Sequence, residues 1–273
     1  MKYQNINRSC SYAALANLLL EHDIDTEDKE IILKANIPYF FQYDTDTQKY
    51  SAGAMLQGKK WFDLYLKPRS LEFCEKIFER NELIRFWDTF DHPCMLGLKL
   101  YDDHKHAVIF QGKINQKYHF VNIKSPISNE PDYYDFTKDE LVGLLDEKIY
   151  LGWITKISDG IKTNLLEEIC NSKTVFTEYK KVVLLSLSEE NDVQQLNKLK
   201  MNVYEAFFLD LASMLELIER IYLANQIVEL RKQFQYALNI KKALKLSDYL
   251  SYDKVKFVLN SYQDILNKKI SFI

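Results

Sequence analysis

The sequence predicts an α+β domain, with N-terminal helices packed on an antiparallel sheet, followed by an all-helical domain. Two observations carry this. All seven glycines lie at or before Gly160 and all five prolines at or before Pro131; both residues punctuate turns and are disfavoured inside helices, so residues 161–273 should be largely helical. Before that point, helical patterns come first and a meander of strand patterns follows with one late helix, an order that fits α+β and not βαβ repeats. The boundary falls near Ser158-Asp159-Gly160, giving domains at 1–160 and 161–273.

Helical periodicity covers about Cys10–Glu21, Glu27–Ala35 and Ser70–Trp87. Strands are expected at Pro93–Leu100, His106–Gly112, Lys117–Ile123 and Tyr150–Ile157, the second and third joined by the short Gly-started connection "GKINQ" of an antiparallel hairpin. Thr137 and Glu140 form a capping box before "LVGLL", so a helix starts there. Pro38–Ser51 and Lys124–Asp135 are read as loops, with "PDYYDF" (Pro131–Phe136) anchored by its aromatics. In the second domain Leu211, Met214, Leu215, Ile218, Ile221 and Tyr222 fall at helical spacing as one core-facing stripe, and a further helix covers about Asp253–Lys268. No repeat of 20–50 residues is visible, which argues against a solenoid.

The chain is 47% hydrophobic and 27% charged with net charge −3, an ordinary globular composition. No basic run points to nucleic acid. The longest apolar run, Val182–Leu187, is far short of the roughly 20 residues that span a bilayer, so membrane insertion is not expected. Cys10 follows Met1 too soon for a signal peptide, and the chain is read as cytoplasmic. Cys10, Cys74, Cys94 and Cys170 show no CxxC spacing, which fits neither a disulfide framework nor a zinc site; Cys74, Cys94 and Cys170 sit in apolar contexts and read as core residues. "YDDHK" (Tyr101–Lys105) reads as a solvated turn and not as a metal loop. No metal and no cofactor are expected.

Cys10 differs, because it opens the apolar run "CSYAALANLL". A cysteine is a nucleophile as its thiolate, and a helix N-terminus, with unpaired N–H groups and the positive dipole end, is one of the few places that favours that form. Acyl transfer also needs donors for the oxyanion, and Gln4, six residues upstream, can supply an amide beside the Cys10 N–H. His106 opens the strand "HAVIF" and can serve as base, with His104 as competitor. A third polar group should fix the imidazole; Asn122 in "HFVNI" and Ser125 just beyond are the choices, and a one-residue slip of register would turn Asn122 to the other face. The alternative for Cys10 is an inert helix cysteine facing the core.

These pieces resemble the papain-like cysteine peptidase superfamily, and more closely its bacteriocin-leader (double-glycine) peptidase domains. The matching residues are Gln4, Cys10 with "AALANLL", Pro93 with "CMLGL", His106 through Gly112 with "HAVIFQG", and Ser125-Pro126, followed by the helix of "DFTKDELVGLL". Ser11 stands where that group commonly has glycine, and Ser125 where it has aspartate. The resemblance implies a papain-like fold and attack by Cys10 on a peptide or acyl-carrier substrate, with His106 as base and then acid, and Gln4 as oxyanion donor. The layout of both halves is similar to acyltransferases of the butirosin biosynthesis protein H type, and no Gly-x-x-x-x-Gly-Lys-Ser/Thr of an attached exporter is present. Three readings stay open: a cysteine peptidase or amidase, an acyltransferase with the same residues, and a non-catalytic binding module with a decayed site. The helical half would bind acceptor or carrier, form a homodimer interface or cover the site.

Overall fold

The computed structural model describes residues 9–90, 92–101, 104–122, 131–158 and 164–272. Helices α1 (Cys10–Leu19) and α2 (Asp28–Lys34) are followed by the hairpin β1 (Phe41–Asp44) and β2 (Lys49–Ala52), then α3 (Lys59–Leu66). Next come β3 (Leu71–Glu79), α4 (Arg80–Phe86), β4 (Cys94–Tyr101), β5 (His104–Ile114), β6 (Lys117–Asn122) and β7 (Asp132–Phe136). Helix α5 (Lys138–Leu144) leads into β8 (Lys148–Lys156). The remainder comprises α6 (Leu165–Ser188), β9 (Glu190–Asn191), α7 (Val193–Leu199), α8 (Ala212–Leu217), α9 (Ile221–Asn239), β10 (Leu244–Lys245) and α10 (Tyr252–Ser271). Among the described residues no helix is long and apolar enough to cross a membrane.

The chain forms two compact units, and they are not divided by a single cut. Residues 1–35 and 57–163 make the first; residues 36–56 and 164–273 make the second. Pro38–Ser51, read from sequence as a loop, therefore contains the β1–β2 hairpin of the second unit, in which Phe41 pairs with Ala52 and Tyr43 with Tyr50.

In the first unit six strands form one antiparallel sheet in the order β3-β8-β4-β5-β6-β7. The β5–β6 hairpin turns through Asn115 and Gln116, both at positive φ (50° and 63°), the requirement of a two-residue turn whose twist matches the strands. The capping box at Thr137 and Glu140 is formed in both directions and starts α5. Two sequence expectations are corrected. Leu71–Glu79 is a strand, not the first half of a helix: Leu71 and Phe73 are buried alternately, and the segment pairs with β8 along its whole length. "PDYYDF" contains β7, in which Asp132, Tyr134 and Phe136 alternate with the exposed Tyr133 and Asp135.

The sheet is covered on both faces. On one, Leu96, Leu98, Val108, Phe110 and Phe120 join Leu83 and Trp87 near α4 and Leu141 of α5 in a single core. On the other, Tyr12 of α1 packs edge-on against Phe62 of α3 (5.2 Å), and Phe62 against Phe73 (4.9 Å). The Phe73 ring lies flush over Gly152, where an added Cβ would stand 2.2 Å from Cζ.

The second unit is mainly helical, but it also contains the β1–β2 hairpin and the two-residue β9–β10 pair. Its core gathers Phe41, Phe176, Tyr179, Phe207, Leu215, Phe234 and Tyr262. The buried phenols find acceptors, Tyr179 donating to Val203 O and Tyr262 to Pro38 O, both at 3.1 Å, as a buried hydroxyl must. The stripe expected from Leu211 to Tyr222 is broken: Leu211, Met214 and Leu215 are fully buried, whereas Ile221 and Tyr222 are 51% and 68% exposed. The cause is a left-handed residue, Glu219 (φ 61°), after which Arg220 N–H returns to Leu215 O (2.8 Å) and the chain changes direction.

Between α7 and α8 the helix widens into two π-helical stretches, Lys200–Tyr204 and Ala206–Leu211. Asp210 lies in the second, and its carboxyl is pushed up to about 7 by burial, with Lys49 opposing and Glu205 adding to the shift. An acid raised in the folded state binds its proton there first, so its contribution to stability is present below its unfolded pKa and is lost as pH rises through 7. Asp210→Asn should remove this loss. Thermal melts at pH 5.5 and 8 should show the variant's advantage over the parent growing by up to about 2 kcal/mol between the lower and the higher pH, after allowance for the solvent-facing part of the carboxyl. Equal pH dependence of the two proteins would refute it.

Candidate functional site

Cys10 is the first residue of α1, as its place before the apolar run predicts. The preceding Ser9 is extended (φ −151°, ψ 129°) and its side chain makes no capping bond. Its backbone is fixed instead: Ser9 N–H donates to Oδ2 of the fully buried Asp28 (3.1 Å), whose other oxygen accepts from Lys29 N–H (2.6 Å). Beyond the cysteine, Ser11 Oγ donates to Gln57 Oε1 (2.8 Å). Asp28 and Gln57 were not singled out in the sequence; both reach the helix start from distant segments, and no local pattern marks them. Every residue from Ser11 to Leu19 is buried, while Cys10 itself is half-buried and carries a free thiol.

Helix α1 packs against β5, β4 and β8. Its far end marks its direction. Leu18 and His22 share a cavity of about 390 Å³ with Phe90, Pro93, Trp153 and Lys156, next to the beginning of β4 and the end of β8. In that cavity burial, reinforced by Lys156, holds His22 below the usual imidazole range. Cys10 stands at the other end of α1, away from that cavity.

His106 lies in β5, near its start, opposite Leu98, and is half-buried. In the same strand Val108 pairs with Asn122 at the end of β6. Strand alternation places His106, Val108 and Asn122 on one face, with His106 and Asn122 as diagonal neighbours within reach of long side chains. Asn122 is buried, 3% exposed, and its Oδ1 accepts no hydrogen bond, a buried acceptor in need of a donor on the sheet face that carries His106. The face they share is that of Leu98 and Phe110, whereas Tyr12 of α1 joins the layer over Phe73. Cys10 and His106 are therefore rooted in different layers. Of the other candidates, His104 is the first residue of β5, and Gln4 and Ser125 lie outside the described residues.

The remaining cysteines separate clearly. Cys94 is fully buried, and burial pushes its thiol up to about 12. Cys74 is half-buried, with Sγ 3.3 Å from Thr155 Oγ1. Cys170, read as a core residue, is exposed on α6; of its apolar neighbours Ile169 is buried, whereas Leu166 is exposed like the cysteine. Among the described residues no group of three histidine, cysteine or carboxylate side chains is placed to hold a metal ion. Compared with known proteins, the chain matches no family model and no curated protein.

Proposed function

We propose that the first unit is a papain-like domain carrying thiol-dependent acyl chemistry of the cysteine peptidase or amidase kind, with Cys10 as nucleophile, His106 as base and then acid, and Asn122 holding the imidazole. The observation that carries this reading is the partnerless, buried Oδ1 of Asn122 on the same sheet face as His106. An imidazole N–H is the donor that such an acceptor suits, and that bond would fix the tautomer in which the other ring nitrogen takes a proton. Cys10 at the start of α1 adds the second half, since the uncapped first-turn N–H groups are donors of the type that stabilise a tetrahedral oxyanion.

In this reading the sulfur attacks a carbonyl carbon, His106 receives the thiol proton and passes it to the leaving group, and the acyl-enzyme is released to water or to an amine. The imidazole must reach round the first residues of β5 to meet the sulfur. That requirement gives the non-catalytic binding module its one specific support, the separate layers of Cys10 and His106.

The test is chemical. Peptide and acyl-thioester substrates are incubated with the protein, with and without an amine acceptor, and products are identified by mass spectrometry. Free acid alone assigns hydrolysis, and acylated amine assigns the transferase. Turnover by Cys10→Ala or His106→Ala equal to that of the parent overturns the reading, as does absence of any acyl-enzyme on Cys10. In a positive case Asn122→Ala should lower turnover by about 10- to 100-fold while leaving acyl-thioester binding intact.

A further inference from the structure

The π-helical stretches of the second unit invite a separate question, because such geometry packs poorly and is found mostly as single-turn bulges at functional sites. Glu205 N–H returns to Lys200 O, five residues back, which widens the turn and leaves a cavity of about 170 Å³ between this segment and α9. Part of its wall is aromatic: Tyr204 stacks on Phe234 (4.4 Å) and on Phe208 (5.2 Å). The Tyr204 hydroxyl is engaged with Ser186 Oγ (2.8 Å), so the phenol oxygen is occupied elsewhere. Lys200 and Arg231 also line this cavity, Lys200 exposed and Arg231 half-buried. Among the described residues neither cation has a carboxylate within ion-pair distance, although Glu205 lines the same space. A half-buried guanidinium without a counter-charge, beside stacked rings, is an arrangement that a bound anion completes.

We propose that this cavity binds a small monocarboxylate with an apolar body, its ring or branched chain seated against Phe208, Leu209 and Leu238 and its carboxylate between Lys200 and Arg231. The volume is that of about six water molecules, room for a group the size of one large side chain and not for a nucleotide or a lipid tail. Glu205, on the same wall, disfavours a second negative charge and so selects a monoanion over a dianion.

The experiment uses the full chain and 3-phenylpropionate as probe, with 3-phenylpropanamide as the neutral isostere and phenylsuccinate as the dianion, followed by calorimetry and by ligand-observed NMR. Saturable binding of the monocarboxylate is expected, with the amide and the dianion each weaker by about tenfold or more. Lys200→Met and Arg231→Met, measured singly and together, should each weaken it, the double variant abolishing it with an unchanged melting temperature. Lys200 is a surface residue, so its variant folds and is decisive even if the Arg231 variant does not. Absence of saturable binding overturns the proposal, as does equal binding of acid and amide, or retention of binding by Lys200→Met at parental affinity.

Discussion

Iodoacetamide added to the native protein near neutral pH should modify Cys10 faster than Cys170. The comparison is demanding, because Cys170 is exposed on α6 whereas Cys10 is half-buried; by access alone the order would be reversed. Reactivity follows the thiolate, which a helix N-terminus and an imidazole favour together. The rate at Cys10 should fall at least about tenfold in His106→Ala and be unaffected at Cys170. Cys94 should stay unmodified until the protein unfolds, since burial pushes its thiol up to about 12. Peptide mapping over a time course reads all of these sites at once. Labelling of Cys10 no faster than Cys170, and indifferent to His106, would remove the enzymatic reading and leave the binding module.

Gly152→Ala should be among the most destabilising single changes in the first unit. The new Cβ would sit 2.2 Å from Phe73 Cζ and 2.8 Å from Cε1, inside the contact distance of any carbon pair. Phe73 cannot swing aside cheaply, because it is 2% exposed and its ring is held edge-on by Phe62 at 4.9 Å. Overpacking of this kind costs about 1–3 kcal/mol, occasionally more, and the upper part of that range applies here. Chemical denaturation should show the loss, and Phe73→Leu in the same chain should restore part of it by vacating the ring's volume. An additive double variant would show that the ring is not the cause.

Much of this architecture was legible in the sequence, for local reasons. β4, β5, β6 and β8 are apolar runs bounded by turn residues, and the Thr137–Glu140 cap is a contact between neighbours three residues apart. The distribution of glycine and proline foretold the helical remainder, and the start of α1 at Cys10 followed from one apolar run. What failed depended on distant partners. "LEFCEKIFERNELIRFW" satisfies both a helical and a strand period, and only pairing with β8, some 75 residues later, decides for Leu71–Glu79. The same holds for β7, which exists because β6 accepts it. The site divides likewise. Cys10, His106 and Asn122 are visible as residue types at strand and helix ends, whereas Asp28 and Gln57 reach the Cys10 end of α1 through tertiary approach alone.

The second unit draws on two separate stretches of chain, 36–56 and 164–273, and this shapes the life of the nascent polypeptide. Phe41 leaves the ribosome long before Phe176 and Tyr179, against which its ring finally rests at 5.2 and 4.8 Å. Until α6 emerges, the early hairpin exposes an aromatic face and an unpaired edge, the combination most prone to clumping. Cutting the chain at residue 160 would make that exposure permanent. Sound fragments must either keep the whole chain or excise the hairpin together with the helices it serves.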